Sequence, residues 1–473
     1  MRLSVGTNFD PELIEGLAGT DTKVVYGKLA KDIFGGGRPS MSLPDITKEQ
    51  LKAHIDLAHQ NGLQFNYLLN TNCMDNREFQ TEVNREIFDT IRWLDEIGVD
   101  WITVSLPYLV RVVRQTAPRI RISLSTFAYV DTLQKAMEFE KLGVDEITLP
   151  EGLNRNFKLL RLFKENLSCD IQLIATNLCM AACPYRNYHA NSQSHASQVN
   201  HESGGASIDF CMLSCTARTL SDPAEFIKIP WIRPEDLDVY EKIGIDSIKI
   251  TERMKKTERL AEIAYAYTNR AYEGDLNRLL NFRIKSDFIE PNHDLLLGSD
   301  KYNTSYLLKS RELLFKRDIR IDNSRLDGFI DYFVKKETDC RNQLCGKTCR
   351  HCYEYANKAV VSDWDEPKEI SEEIQTFLTE ISSGALFQDQ SGETLLWSQP
   401  LLIKLEAFLQ KKPAFIRETA RKMIVKEVEE LAKKDGRKVV RLQDLLKANY
   451  DNTPKEFRHH LLKEMQENGV KAD

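Results

Sequence analysis

Eight short apolar segments alternate with amphipathic helical patterns over the first ~250 residues, and this alternation constrains the fold more than any other feature. Strands separated by helices predict a parallel sheet, because each parallel connection needs a crossover long enough to hold a helix. Eight such units predict a TIM-like (β/α)8 barrel, with a doubly wound open sheet as the alternative. In either fold the ligand site lies at the carboxyl ends of the strands. The predicted strands are 3–9, 23–29, 63–70, 101–107, 120–127, 144–150, 170–177 and 245–251.

The rest of the chain divides by composition. We predict that the barrel, over 1–275, is followed by a Cys-rich extension over 276–365 and a small helical C-terminal domain over 366–473, with a Ser- and Gly-rich linker at 382–397. A polar insertion, 187–210, interrupts the last unit of the barrel. Long loops in compact domains are usually functional or disordered. Because cysteines bracket this one, a bound metal would order it.

The charge balance excludes several classes of protein. The 473 residues carry 65 Lys and Arg against 71 Asp and Glu, a formal charge of −6. A nucleic-acid coat or a polybasic membrane binder needs the opposite balance. No apolar run approaches the ~18 residues of a membrane span, and the first residues lack a signal-peptide pattern. We therefore expect a cytoplasmic protein without membrane contact, and leave open whether a nucleic acid is among its partners.

Ten cysteines are unusual in a cytosolic chain, where clustered cysteines indicate metal or catalysis rather than disulfides. The first group of four consists of two x3 pairs, Cys179/Cys183 and Cys211/Cys215. Four thiolates suit a four-iron cluster or a tetrahedral zinc. The first pair begins where strand seven ends, at the expected catalytic face. This position favours an iron–sulfur cluster over a peripheral zinc or unligated buried thiols.

The second group follows a different spacing, Cys340-x4-Cys345-x3-Cys349-x2-Cys352. The last three match the spacing of radical S-adenosylmethionine enzymes, but that motif belongs near the start of a barrel. Cys340 also supplies a fourth thiolate, which would occupy the iron coordination position that the cosubstrate needs to be free. We predict a closed electron-transfer cluster (4Fe-4S), with zinc as the alternative. Cys73 and Cys169 are predicted to be packing residues, although Cys73 follows strand three closely enough to reach the catalytic face.

Several cationic residues are expected at the same face. Strand alternation directs Lys249 into the barrel, where an unpaired charge is costly. Lys249 therefore either binds an anion or pairs with a carboxylate such as Glu146. The glycine-rich loop 34–40 has no nucleotide-binding motif and would deliver Arg38. We predict a site for a small carboxylate-bearing ligand, with the candidate catalytic residues Lys249, Arg253, Arg38 and Glu252. In the insertion, His189, His195 and His201 either ligate a metal, transfer protons or stay solvated.

Hydrolase signatures are missing from the sequence, since neither G-x-S-x-G nor H-E-x-x-H occurs. The combination of VVYG, GGGRP, NYLLNTNCMDN, PRIRISLSTFAYV, LGVDEITLP and DSIKITERMK resembles peptidase family U32 over about residues 1–275. Here KITERMK stands where KIEGRMK is common. The resemblance implies a TIM-barrel iron–sulfur protein, with Cys179, Cys183, Cys211 and Cys215 as cluster ligands. Relatives support oxygen-independent hydroxylation of ubiquinone precursors or RNA bases, with prephenate as an oxygen donor in several.

A second resemblance covers 395–448, through Pro413, Phe415, Arg417 and the helix that follows. This stretch is similar to the small helical domain that ends a subunit of light-independent protochlorophyllide reductase, and it implies a redox setting. The leading hypothesis is thus an iron–sulfur oxidoreductase that performs oxygen-independent hydroxylation of an aromatic small molecule, an RNA base or a peptide. An electron donor such as ferredoxin and a second subunit are the implied partners. The alternatives are a U32-type protease and a non-catalytic iron–sulfur electron-transfer or assembly component.

Overall fold

The computed structural model describes most of the chain, and its described residues fall into two compact units. The first unit comprises 1–292 and 305–378, and the second comprises 293–304 and 379–473. The Cys-rich segment therefore lies in the same unit as the barrel. The described residues are 1–199, 201–280, 287–288, 304–315, 319–383, 397, 399–413, 416–435, 437, 439–454, 458–467 and 470.

The first unit is built on a closed barrel of eight parallel strands in sequence order. All eight predicted strands are present, and the predicted (β/α)8 fold is confirmed. The open-sheet alternative is wrong, because the last strand pairs with the first, with Arg2 opposite Ser247 and Ser4 opposite Lys249. The strands are β1 (Arg2–Gly6), β2 (Thr22–Gly27), β3 (Gln64–Leu69), β4 (Trp101–Val104), β5 (Arg121–Leu124), β6 (Glu146–Thr148), β7 (Asp170–Ile174) and β8 (Ser247–Ile250).

Amphipathic helices connect the strands and cover the outside of the barrel. Thr47 and Gln50 form a capping box that starts one of them, and Gly98, at φ 92°, ends another immediately before β4. A Thr with a Gln three residues later and a Gly with a positive φ are sequence features that start and end helices. The connecting helices before β7 are α1 (Pro11–Gly16), α2 (Lys48–Gln60), α3 (Thr81–Glu96), α4 (Pro107–Thr116), α5 (Leu133–Lys141) and α6 (Phe157–Asn166).

The connection from β7 to β8 is much longer than the others, and it contains the polar insertion. The insertion is partly helical, because α7 (Arg186–His195) occupies its first half and α8 (Phe210–Ser221) begins at its end. Cys211 and Cys215 lie one turn apart on α8, so both thiols face the same side of the helix. Two short helices, α9 (Pro223–Lys228) and α10 (Leu237–Lys242), complete the connection.

After β8 the chain makes a turn before it enters the next helix. Glu252 has a positive φ of 109°, and α11 (Thr257–Asn269) begins five residues later. The intervening turn keeps Glu252 and Arg253 at the mouth of the barrel. The Cys-rich segment then contributes α12 (Thr304–Phe315), α13 (Asp331–Lys336) and α14 (His351–Ala359), and α15 (Asp365–Ser382) follows it.

The second unit is helical, as predicted for the end of the chain. Its apolar core includes Leu405, Ile424, Val428 and Leu445, all 1% exposed or less. The predicted linker lies largely outside the described residues, which stop at 383 and resume at 397. Within the described residues, no helix has the length and apolarity to span a membrane. The helices of this unit are α16 (Gln399–Gln410), α17 (Arg417–Lys434), α18 (Leu442–Asp451) and α19 (His459–Glu467).

Candidate active site

A cavity of about 200 Å3 opens at the carboxyl ends of the barrel strands, where the fold places ligand sites. Its wall is formed by strand ends, by the glycine-rich loop and by α7 and α8. The residues that the sequence singled out at the barrel come together here, although they are spread over more than 200 positions. The cavity lining includes Arg38, Cys179, Cys183, Cys211, Cys215, Lys249, Glu252 and Arg253.

The four cysteines of the first group lie on one part of this wall. Burial raises the pKa of Cys211 to about 12, and the nearby Asp209, Cys183 and Cys215 act in the same direction. Burial likewise raises the pKa of Cys179 well above its usual range. All four thiols line the same cavity. The sulfur of Cys179 also accepts a hydrogen bond of 3.3 Å from the amide of Asn177.

A buried ion pair lies behind Cys179. Arg186, on α7, donates to the carboxylate of Glu151, which follows β6, and Asn177 donates to the same carboxylate at 2.6 Å. Burial acts to raise the pKa of Glu151, but the charge of Arg186 and the hydrogen bonds from the backbone, Arg186 and Asn177 together outweigh it, and the pKa is lowered. The pair ties the segment after β7 to the end of β6. It therefore fixes where the first cysteine pair faces the cavity.

Two buried cations face the cavity without a full complement of partners. Lys249 lies with its Nζ 4.2 Å from the ring centroid of Tyr26, and no carboxylate in the described part of the chain forms an ion pair with it. Glu146, its predicted alternative partner, pairs with Arg2 and accepts from Ser247. Burial lowers the pKa of Lys249 to about 8. The side chain of Lys249 is thus as buried as that of a core residue, although it carries the positive charge that an anion-binding residue needs.

Arg253 is the second of these cations. Burial lowers its pKa to about 10, and the neighbouring Arg38 acts in the same direction. Its Nη1 is buried and makes no hydrogen bond to any described residue. Arg38 lies at the edge of the cavity, with its Nη2 3.7 Å from Oε2 of Glu252. A buried donor without a partner is costly, so this corner of the cavity is suited to an anionic ligand.

Glu252 shapes the turn that presents Arg253. Its Oε1 accepts from the backbone N–H groups of Arg253 at 2.9 Å and Met254 at 3.2 Å. Its left-handed backbone also brings its carbonyl oxygen against β1. A Cβ at Gly6 would lie 2.1 Å from that oxygen, so only glycine fits there. The geometry assigns Glu252 a positioning role in addition to its place on the cavity wall.

The second cysteine group has a different setting, and none of its members lines this cavity. Burial raises the pKa of Cys340 to about 11 and that of Cys352 to about 12, while the neighbouring Arg155 acts to lower both. Cys345 is exposed. His351 lies among aromatic rings in this segment. Its ring stacks on Tyr332 at 4.3 Å, and its Nε2 lies 2.9 Å from the carbonyl oxygen of a phenylalanine.

Sequence reasoning missed three charged residues of these surroundings, Glu151, Arg186 and Arg155. Glu151 comes directly after the predicted strand six, which is a signal that could have found it. Arg186 and Arg155 carry no comparable signal, because their partners lie 35 or more residues away. The structure also places His189 at the cavity, with its Nε2 3.1 Å from Asp209, whereas His195 and His201 are not among the lining residues.

Comparisons with known proteins show which family this chain resembles. The family model described as peptidase family U32 matches residues 33–283, more than half of the chain. An uncharacterized protease of Methanocaldococcus jannaschii is 29% identical over 329 residues, which cover 70% of this chain and 86% of that protein. A solved U32 peptidase is 21% identical, with a TM-score of 0.40, and covers 53% of this chain and 91% of its own. A native KDPGal structure is 10% identical, with a TM-score of 0.32, and covers 57% and 94% respectively.

Proposed function

Because the chain belongs to peptidase family U32, we propose that it is an enzyme of this family that works as an iron–sulfur oxidoreductase. The proposed reaction is oxygen-independent hydroxylation of an aromatic small molecule, an RNA base or a peptide. A small carboxylate-bearing ligand of the prephenate type would bind beside the cluster and donate the oxygen atom, so that this ligand takes up the two electrons that the hydroxylated substrate loses. The observation that carries the proposal is the presence of four cysteines and two incompletely partnered buried cations in one cavity.

The donor set of the cavity fits an iron–sulfur cluster. Cys179, Cys183, Cys211 and Cys215 would hold it, because thiolates are the ligands that such clusters take. Four thiolates on one tetrahedral zinc would lie only about 3.8 Å apart. Among the described residues, however, neither cysteine group has three or more sulfur atoms within 4.8 Å of one another. Such a group of ligand atoms is formed instead by Cys73, Asp75 and His195. Wider spacing favours a four-iron cluster, in which each thiolate binds a different iron.

When bound, the cluster would supply one-electron transfer at the cavity wall. The protein side chains have separate tasks. Lys249 and Arg253 would bind the carboxylate of the ligand, since charge-assisted hydrogen bonds in a buried site are strong. Arg38 would close the open edge of the cavity, and the ring of Tyr26, 4.2 Å below the ammonium of Lys249, holds that cation in place.

The second cysteine group would exchange electrons with the cavity cluster. One short segment connects the two cysteine groups, which supports this role. Its residue Glu151 lies beside Cys179, and its residue Arg155 lies beside Cys340 and Cys352. The two residues are four positions apart, so their Cα atoms are at most about 14 Å from each other. Such proximity suits electron transfer from an external donor such as ferredoxin. Zinc with a purely structural role remains the alternative for this group.

Proteolysis, which the name of the Methanocaldococcus relative indicates, is the competing function. His189 and Asp209 form a pair beside the cavity thiols, as a cysteine protease would require. A cysteine protease uses one nucleophilic thiol, however, whereas four thiols lie on this cavity wall, the number that a zinc ion or a four-iron cluster takes. The arrangement therefore supports metal binding by these thiols more than nucleophilic attack.

The test is anaerobic purification followed by counts of iron, acid-labile sulfide and zinc. We expect iron and sulfide in equal amounts, about four of each per loaded cysteine group. The same preparation should not cleave gelatin or collagen peptides. The proposal is wrong if the cavity cysteines bind zinc without sulfide. It is equally wrong if the protein cleaves peptides and His189→Gln abolishes cleavage without altering the metal content.

A further inference from the structure

The loop after β3 is fastened to the insertion by several hydrogen bonds. The backbone N–H of Asn72 donates to Ser194 Oγ at 2.8 Å, and its side-chain amide donates to Asn191 at 2.8 Å. The amide of Gln198 donates to the carbonyl oxygen of Cys73 at 2.6 Å. Two segments more than 100 residues apart in sequence are thus held in fixed positions relative to each other.

Three side chains of different ligand types converge where these segments meet. The sulfur of Cys73, a carboxylate oxygen of Asp75 and an imidazole nitrogen of His195 all lie within 4.8 Å of one another. Oδ1 of Asp75 is 3.7 Å from Sγ of Cys73 and 3.2 Å from Nε2 of His195. Ligands on a tetrahedral zinc, with bonds of about 2.0 Å to N or O and 2.3 Å to S, lie roughly 3.3–3.5 Å apart. The observed separations are close to those of ligands on a single ion.

The nitrogen of His195 provides an independent indication. Nε2 is buried, and it makes no hydrogen bond within the part of the chain that the structure describes. It nevertheless faces a carboxylate oxygen at 3.2 Å. A buried imidazole nitrogen normally has a partner, because leaving it without one is costly. A metal ion bound to both atoms would satisfy it.

His201 lies next to the three converging side chains and supports the same arrangement. Its Nδ1 accepts a hydrogen bond of 3.1 Å from the backbone N–H of Ser203, so in the neutral ring Nε2 carries the proton. That Nε2 lies 3.9 Å from the second carboxylate oxygen of Asp75, and the ring stacks on His195 with centroids 4.7 Å apart. His201 is therefore placed to orient Asp75 and His195 rather than to bind the ion itself.

We propose that Cys73, Asp75 and His195 form a zinc site, with the fourth position taken by water and with His201 as a positioning residue. Thiolate, carboxylate and imidazole are all ligands that zinc accepts. The site is independent of the proposed iron–sulfur chemistry, since none of its ligands lines the cavity. Its consequence is structural: the ion would anchor the insertion, whose two ends carry the cysteine pairs of the first group.

The test compares zinc and iron in anaerobically purified full-length protein, equilibrated with Zn2+ and desalted. We expect one equivalent of zinc per chain to be lost in each of Cys73→Ser, Asp75→Asn and His195→Gln, with iron unchanged. Cys169→Ser, which alters a buried cysteine elsewhere in the barrel, is the matched control and should keep the zinc. His201→Gln should retain the stoichiometry but bind Zn2+ about 10- to 100-fold more weakly.

A second readout follows the insertion itself. Limited proteolysis within 187–210 should be slow with Zn2+ and faster in the Asp75→Asn variant, which preserves side-chain shape. Circular dichroism identifies a variant that fails to fold, and the remaining two ligand variants then decide the question. Equal zinc content in the wild type and the folded ligand variants would overturn the proposal. So would a loss of iron in place of zinc, or the absence of zinc from the wild-type protein.

Discussion

The two cysteine groups are alike in number and residue type but differ in their surroundings. The first lines a cavity together with Lys249 and Arg253, which lack full sets of partners. The second packs around Arg155, whose guanidinium donates to the carbonyl oxygens of Ile227 and Ile229 and lies 4.7 Å from the ring of Phe329. Four cysteines would suit a metal in both places, and a buried cation lies beside each group, since Nε of Arg155 also makes no hydrogen bond to a described residue. The open cavity is what distinguishes the first group as the place where a ligand could react.

The largest expected effect separates the two groups by their metal content. The double variant Cys179→Ala, Cys183→Ala should lose about half of the iron, since each group would hold one of two similar clusters. The reciprocal variant Cys345→Ala, Cys349→Ala should lose the other half. Iron and sulfide counts on folded protein measure both. Complete loss of iron in either variant would indicate one shared cluster and would contradict the distinction between two separate groups.

A smaller effect concerns ligand binding, which we expect only at the first group. Lys249→Met and Arg253→Met should each weaken the binding of a dicarboxylate about tenfold to a hundredfold, because each removes a charge-assisted contact of about 1.5–3 kcal/mol. Calorimetric titration at matched iron content measures the affinity, with the exposed Lys242→Met as control. Unchanged affinity in both cavity variants would move the ligand elsewhere on the barrel face.

The second group should respond to a change that leaves the first unaffected. Arg155→Met removes a positive charge beside Cys340 and Cys352, so the reduced cluster loses stabilisation and its potential falls. We expect a change of about tenfold in the reduction equilibrium, or ~59 mV for one electron. Arg155→Lys keeps the positive charge, so the reduction potential should fall less in this variant than in Arg155→Met. A redox titration that shows an equal shift at both clusters would contradict the distinction between the two settings.

The smallest expected effect is a pH dependence that belongs to the first group alone. Burial lowers the pKa of Lys249 to about 8, so the side chain is protonated below that pH and neutral above it. The affinity for a dicarboxylate should therefore fall as the pH rises from 7 to 9. The Lys249→Met variant should lack this fall over the same range. A pH profile of the same steepness in both proteins would assign the titration to another group.

The barrel was predictable because its strands alternate regularly with helices, but the strand ends were not. The predicted strand 101–107 stops at Val104, and Pro107 already starts α4. The predicted strand 120–127 likewise stops at Leu124. Beyond β5, for example, Phe127 lines the cavity instead of pairing in the sheet. The hydrophobic pattern therefore locates the strands without showing where their hydrogen bonding ends.

Within the candidate site, sequence reasoning succeeded where the barrel topology alone determines position. Lys249 lies near the end of β8, Cys179 and Cys183 follow β7, and all strand ends meet at one face. The contacts of the insertion depend on its tertiary fold, so the pairing of Arg186 with Glu151 was not predictable. Cys73 illustrates the same limit: predicted as a packing residue, it lies half-buried beside Asp75 and His195. The similarity of 395–448 to the protochlorophyllide reductase domain stays a prediction.

The central claim is that the first cysteine group holds a cluster at the place where a carboxylate ligand binds. The most direct test is electron paramagnetic resonance of the reduced Cys345→Ala, Cys349→Ala variant, in which only the cavity cluster would remain. The account predicts a cluster signal that changes when prephenate or malonate is added, and no change when Lys249→Met is also present. A signal that stays the same while calorimetry shows the dicarboxylate bound, or the absence of any cluster signal, would contradict it.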